Sequence, residues 1–282
     1  MYYKLLKLKF LILHTLNKLI NFKLLYKSRA LKKELSNIKE KSLTDQLNIN
    51  GYTYLSDTLS LPKEIINKCD QIISSYDDNS NGLNKNKSMI YNILKTDQIQ
   101  KIDGLIEFAT SKNLISVITN YLGEIPILLA INLYLSPKNE NEKYSSSQLF
   151  HLDTEQHKQI KIFYLLHDTD ISHGPLEFID KLKTEKILKK INYSGKRITD
   201  DTIKNLNINN SFVDDEIFIG KRGSGLMIDS SNCLHRGSRK ILKNRYILQF
   251  QYFSKFSSFK SYKNKMNLNL DKYNDFTKFL LN

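Results

Sequence analysis

The stretch "RYILQFQYFSKF", residues 245–256, decides how this chain folds. Side chains of a strand alternate between its two faces. Tyr246, Leu248, Phe250 and Tyr252 therefore share one face, and Arg245, Ile247, Gln249 and Gln251 the other. The all-apolar face calls for a cover of helices. The Arg-bearing face turns to an enclosed interior, where an unpaired guanidinium is costly. An inward Arg245 needs a carboxylate.

Working outward, "IPILLAINLYLSP", "SQLFHLD", "IKIFYLLHD", "GPLEFI", "EIFIG", "SGLMIDSS" and "CLHRGS" read as further short strands divided by turns. "NINGYTYLSDTLS" alternates like a strand after Gly51. The region before them is helical. "LPKEIINKCDQIISSY" carries Pro62 in its first turn, and "TDQIQKIDGLIEFATSKNLISVITNYLG" stops at Gly123. Residues 29–47 continue as a polar helix, and "DDNSNGLNKNKS" is a polar loop. Residues 180–215 form a polar, partly helical insertion, and no internal repeat is visible. Helices followed by strands predict an α+β architecture, a β-sandwich or barrel with helices over one face. One domain over residues 43–282 follows a basic helical extension, residues 1–42.

The chain has 282 residues, 40% hydrophobic and 11% aromatic, which excludes a disordered class. Its two cysteines, Cys69 and Cys233, offer no disulfide framework and no CxxC metal spacing, which fits a reducing, cytoplasmic compartment. Cys233 reads as a small buried hydrophobe. The formal charge of +14 is uneven. Residues 1–43 hold eleven Lys/Arg against two Glu, a net of +9, leaving +5 on the other 239 residues. Nucleic acid is not the expected partner, because that would want a basic, aromatic groove on the main body.

Residues 1–28, "MYYKLLKLKFLILHTLNKLINFKLLYKS", contain no acidic residue. The uncharged run Phe10 to Asn17 is too short to span a bilayer, and no small-residue cleavage site follows. Leu6, Phe10, Leu13, Leu16, Ile20 and Leu24 recur at helical spacing. Two readings stand: peripheral contact with a membrane surface, or a helix packed on the domain.

The chemistry starts at "LFHLD". On a strand, His151 and Asp153 point to one face, and a transition metal needs a third ligand. His235, in "SSNCLHRGSR", is the natural candidate. Two His and one carboxylate suit non-haem Fe(II), with positions left for a co-substrate and O₂. The same set can hold catalytic zinc, although zinc proteases place their His pair on a helix. Arg245 follows His235 by ten residues. A dicarboxylate chelating the metal would supply the carboxylate that Arg245 needs, bidentately.

Taken in order, "QLFHLD", "FYLLHDTDISHGPLEFI" and "GSGLMIDSSNCLHRGSRKILKNRYILQFQY" resemble the phytanoyl-CoA dioxygenase family of Fe(II)/2-oxoglutarate-dependent oxygenases. "LNINGYTYLSDTLSLPKEI" resembles its opening segment, so the likeness covers about residues 43–256. The resemblance implies a double-stranded β-helix, a jelly-roll or cupin-like barrel, with the N-terminal helices packed on one sheet. It implies His151, Asp153 and His235 as iron ligands and Arg245 as holder of the distal carboxylate of 2-oxoglutarate. It implies Asn132 and Phe163 as flanking residues of the co-substrate, and Ser238 as an aid to Arg245. Gln148 matches a family glutamine with no role assigned.

The family usually continues past G-P-L into P-G-S-H, whereas this chain reads "EFIDKLK" and enters the insertion. Substrate identity therefore does not transfer. Asp153 itself argues for hydroxylation or a related oxidation, since halogenating relatives carry a small residue there. His157 is a candidate for a role beside the ligands or a solvated loop residue. His167, His173, Asp168 and Asp170 read as turn residues, with no second metal.

The expected activity is hydroxylation of a small molecule, a lipid or a sugar-linked compound by Fe(II), 2-oxoglutarate and O₂, with release of succinate and CO₂, in a monomer or dimer. The rival is a catalytically inactive, membrane-associated binding protein on the same fold. The basic helix motivates it, and the complete triad with Arg245 argues against it.

Overall fold

The computed structural model describes residues 2–35, 40–76, 90–139, 143–208, 215–257 and 266–282. Its strands are β1 (Tyr52–Tyr54), β2 (Tyr91–Asn92), β3 (Pro126–Ser136), β4 (Ile160–Leu165), β5 (Leu176–Phe178), β6 (Glu216–Phe218), β7 (Gly225–Asp229), β8 (His235–Arg236) and β9 (Arg245–Ser254). They form a six-stranded sheet, β1-β7-β4-β9-β3-β2, and a three-stranded sheet, β6-β5-β8, with every pairing antiparallel. The helices are α1 (Tyr2–Ile20), α2 (Phe22–Glu34), α3 (Lys41–Asn50), α4 (Lys63–Ser75), α5 (Thr96–Ile99), α6 (Leu105–Ala109), α7 (Lys112–Leu122), α8 (Lys181–Lys190), α9 (Asp200–Ile208) and α10 (Asp275–Leu281).

The alternation read in β9 divides the core. Leu248, Phe250 and Tyr252 join Ile162 and Tyr164 of β4 in the cluster that packs under Leu47 of α3, Leu114 and Ile118 of α7, and Leu280 of α10. Ile247, on the opposite face, joins Phe163, Leu226 and Ile228 against Leu176, Phe178 and Phe218 of the small sheet. Each such side chain withdrawn from water contributes roughly 1.5–3 kcal/mol, so a one-residue slip of β9 would forfeit both layers at once. The fold is α+β, a double-stranded β-helix with helices over one sheet.

Several local expectations need correction. The polar helix expected over 29–47 is broken: α2 ends at Glu34 and α3 begins at Lys41. The helical stretch 96–123 is three helices, punctuated by Gly104 and stopped by Gly123, both at positive φ. "SQLFHLD" is not a regular strand. A 3-10 turn covers Ser146–Gln148, and only single bridges form at Phe150 and His151. Helix α10 went unforeseen, and it completes the cover of the large sheet. The loop at 77–88 lies outside the described residues.

The insertion carries α8 and α9 and a core of its own. Ile187, Leu188, Tyr193, Ile198, Ile203 and Leu206 pack with Phe150, Leu152, Ile179 and Leu234 of the barrel. Residues that look isolated among lysines along the sequence thus meet in space.

The N-terminal helices lie against the body. Tyr3 Oη donates to the Ser231 carbonyl at 2.8 Å, His14 Nε2 lies 2.9 Å from Glu124 and 3.0 Å from Ser254 Oγ, and Lys18 pairs with Glu124 at 2.5 Å. Lys32 donates to the Gly123 carbonyl at 2.9 Å. No helix among the described residues is long and apolar enough to cross a membrane.

Candidate metal centre and co-substrate cavity

His151 and His235 face each other across an antiparallel bridge in which each main-chain N–H donates to the other's carbonyl at 3.1 Å. Two residues on, the Asp153 N–H donates to the Ser230 carbonyl at 2.9 Å. The bridge brings the imidazole rings to 4.3 Å between centroids. One donor atom from each of His151, Asp153 and His235 lies within 4.8 Å of the others.

The tautomers follow from the backbone. His151 Nδ1 lies 2.9 Å from the Leu149 carbonyl, and His235 Nδ1 lies 3.0 Å from the Cys233 carbonyl. A carbonyl only accepts, so both Nδ1 atoms carry the proton and both Nε2 lone pairs are free to ligate. Burial lowers the His151 pKa to about 3, with the neighbouring His235 acting the same way. Burial also lowers that of His235. Both rings are therefore neutral at physiological pH, the form a metal binds. Burial opposes the charge on Asp153, but the Lys161 ammonium outweighs it and keeps the carboxylate ionised. Two neutral imidazoles and a carboxylate form the facial set that suits iron.

Lys161 was not anticipated. Its ammonium sits 2.6 Å from Asp153 Oδ2. On β4 it shares a face with Phe163, and both line the cavity. Only the alternation of "IKIFYLL" could have signalled it, as the cation of that strand sharing a face with Phe163. Asp229 was also missed. Its carboxylate accepts from Tyr121 Oη at 2.5 Å, Asn232 Nδ2 at 2.6 Å and the Ser231 N–H at 3.0 Å. Its carbonyl accepts from the N–H groups of Asn232 and Cys233. These bonds build the turn that delivers His235.

Arg245 is buried at the start of β9. Its Nη2 donates to Ser238 Oγ at 2.9 Å and Ser136 Oγ at 3.2 Å, and the two hydroxyls lie 2.9 Å apart. Nε and Nη1 are buried with no hydrogen-bond partner among the described residues. Burial lowers this guanidinium to about 10, still charged at neutral pH. A buried cation with two unused donors is matched to a carboxylate that arrives from outside. Gln148 acquires a function here: its Nε2 donates to the Ser238 carbonyl at 2.7 Å, tying the turn before His151 to the loop beside Arg245.

A cavity of about 280 Å³ joins the two halves. It is lined by His151 and His235 at one part and by Arg245, Ser136, Phe163 and Gln249 at another. Asn132 does not line it. Its amide is taken up between Asn92 Nδ2 at 3.0 Å and Gln249 Oε1 at 3.1 Å, so it acts on the cavity through Gln249. His157 faces away, its ring 5.0 Å from that of His14. The rings of His167 and His173 lie 4.6 Å apart, tilted by 39°, in the turn where Asp170 accepts from the Ser172 N–H at 2.8 Å. No second group of metal-ligating side chains is found among the described residues. Both cysteines are buried and free.

No family model matches the sequence, and no curated protein matches it. Its fold is similar to solved structures of two kinds. EctD from S. alaskensis, determined with 2-oxoglutarate and 5-hydroxyectoine, aligns with a TM-score of 0.54 at 14% identity, over 77% of this chain and 76% of that one. The epimerase SnoN, determined with Fe3+, alpha ketoglutarate and nogalamycin RO, aligns with a TM-score of 0.51 at 11% identity, over 76% and 83%. At these identities the likeness is one of fold, and it places this chain among double-stranded β-helix architectures that include Fe/2-oxoglutarate-dependent enzymes.

Proposed function

We propose that this protein is an Fe(II)- and 2-oxoglutarate-dependent oxygenase that hydroxylates a small molecule, a lipid or a sugar-linked compound. The observation that carries the reading is the single cavity lined by both candidate histidine ligands and by a buried arginine with two unused donors. His151, Asp153 and His235 would hold the metal. Bound iron with its 2-oxo acid would use O₂ to hydroxylate an unactivated C–H bond, one oxygen atom entering the product and the other succinate, with release of CO₂.

The chain's own share is positioning. The carbonyls of Leu149 and Cys233 fix both imidazoles with Nε2 inward. Arg245, steadied by Ser136 and Ser238, would take the distal carboxylate of 2-oxoglutarate as a fork. Phe163 and Ile247 keep that end of the cavity apolar, which strengthens the ion pair by excluding water. The ordered motifs of the sequence support the narrower assignment to the phytanoyl-CoA dioxygenase family. Residues 43–282 would be the catalytic domain, and residues 1–42 an extension docked upon it.

Anaerobic addition of Fe(II) and 2-oxoglutarate tests the proposal. The expected result is the weak visible charge-transfer band of a chelated 2-oxo acid, absent in His151→Ala. If the wild-type protein gives no band, the reading fails. Succinate release over a substrate panel would then identify the substrate class.

A further inference from the structure

Helix α1 carries apolar residues on both of its sides. Its domain-facing side sets the half-buried Leu6, Phe10 and Leu13 among polar anchors: Tyr3 holds the Ser231 carbonyl, Lys7 the Asn232 side chain, His14 and Lys18 the buried Glu124, and Asn17 the carbonyls of Phe256 and Ser257 at 3.2 and 3.1 Å. Its outward side is apolar. Leu5, Leu8, Ile12, Leu16 and Leu19 follow i, i+3, i+4 spacing, so they form one stripe, and each is about half exposed or more. Leu11, Ile20, Phe22 and Tyr26 extend the apolar surface through the start of α2. Nine of the sixteen large hydrophobic residues exposed among the described residues thus fall within residues 5–26.

The stripe differs from the periodic set read in the sequence. Of those residues, Leu6, Phe10, Leu13 and Leu24 are half-buried, while Leu16 and Ile20 are exposed. A packed helix and a membrane-facing helix are therefore not alternatives in this chain. One side docks on the barrel, and the other remains for a partner.

Charge decides which partner. Residues 1–33 contain no Asp or Glu. Lys4, Lys9, Lys23, Lys27 and Arg29 are exposed on the same two helices. A second copy of this chain would set these cations against their own like, with no Asp or Glu within residues 1–33 to offset them. An anionic lipid surface offers what both features need: an apolar boundary for the leucines and phosphate or carboxylate headgroups for the cations.

We infer that the outward face of α1 and the start of α2 docks on an anionic bilayer, with Leu5, Leu8, Ile12, Leu16 and Leu19 immersed among the headgroups and the exposed lysines against the lipid charge. The polar anchors at Glu124, Ser231 and Ser257 hold the barrel to the helix, so the cavity would work at the lipid surface.

Co-sedimentation of the full chain with vesicles tests this, comparing phosphatidylcholine alone with phosphatidylcholine containing phosphatidylserine. Binding is expected to the anionic vesicles, to weaken with salt over the range where the Debye length shrinks, and to be about tenfold weaker or more in Leu8→Glu/Ile12→Glu/Leu16→Glu. The three positions are solvent-exposed, so the melting temperature of this variant should match wild type, and light scattering should give both proteins the same mass. No binding by the wild type, undiminished binding by the folded triple variant, or a wild-type dimer that the triple variant converts to a monomer would each overturn the inference. The last outcome would assign the stripe to a second copy. None of these measurements depends on iron or 2-oxoglutarate, so failure here leaves the oxygenase reading untouched.

Discussion

His151 and His235, 84 residues apart in sequence, exchange both of their main-chain hydrogen bonds at 3.1 Å. The two imidazoles are thus set by one antiparallel bridge, and a ligand set assembled in this way should tolerate little change. Asp153→Ala and His235→Ala are expected to weaken Fe(II) binding by more than the ~10–100-fold typical when the outer partners of metal ligands are removed. Anaerobic titration calorimetry would read the loss. Near-wild-type affinity in either variant would remove that residue from the ligand set.

Arg245 invites a paired test. Removing one partner of a buried, hydrogen-bonded charge pair costs about 2–5 kcal/mol, so Arg245→Met should weaken 2-oxoglutarate binding by that amount. Arg245→Lys should restore little, because an ammonium cannot reproduce the fork. Without 2-oxoglutarate the Met variant should melt no lower than wild type, since it eliminates two buried donors that lack partners. A large fall in melting temperature would mean that Arg245 serves the fold rather than the co-substrate.

Lys161 competes with a metal for Asp153, its ammonium being 2.6 Å from Oδ2. Lys161→Met should bind Fe(II) several-fold more tightly than wild type, by relieving a like charge. Its melting temperature should also rise more steeply on adding metal, because the apo variant leaves Asp153 buried alone. Weaker metal binding would show instead that Lys161 orients the carboxylate.

The insertion should matter to the metal although it supplies no ligand. Ile187 packs with Phe150, Leu152 and Leu234, the residues that flank His151 and precede His235. Ile187→Ala is expected to cost about 2–5 kcal/mol of stability and to weaken metal binding by loosening the bridge. Chemical denaturation and metal titration on the same variant measure both. Destabilisation with unchanged metal affinity would separate the insertion from the site.

His157 sets a pH dependence away from the cavity. Burial, with His14 and Lys158 beside it, lowers its pKa from 6.5 to about 4. The folded state keeps this ring neutral where the unfolded chain protonates it, so unfolding takes up as much as one proton between these values. Stability should be full above pH 6.5 and decline as pH falls toward 4. His151 and His235 add to the same decline, so His157→Gln should make it shallower by at most one proton in a series of denaturant melts, and an unchanged slope would clear His157 of any share.

Much of this arrangement was legible along the chain. The period-2 alternation of residues 245–256 determined which face of β9 meets helices and which face carries Arg245, because strand geometry leaves a side chain only two directions. The spacing of His151 and Asp153, with a later His235, named a candidate metal-ligand set from residue chemistry alone. The tertiary structure decided the rest, because non-local pairing is invisible to local pattern. It folded a lysine-rich insertion against the backs of Phe150 and Leu234, placed Lys161 on Asp153, and locked Asn132 behind Gln249 rather than in the cavity wall. It also set the orientation of α1. Periodicity can show that a helix has an apolar side, but which side meets the protein depends on what the barrel offers, and here it offers the buried carboxylate of Glu124 to His14 and Lys18.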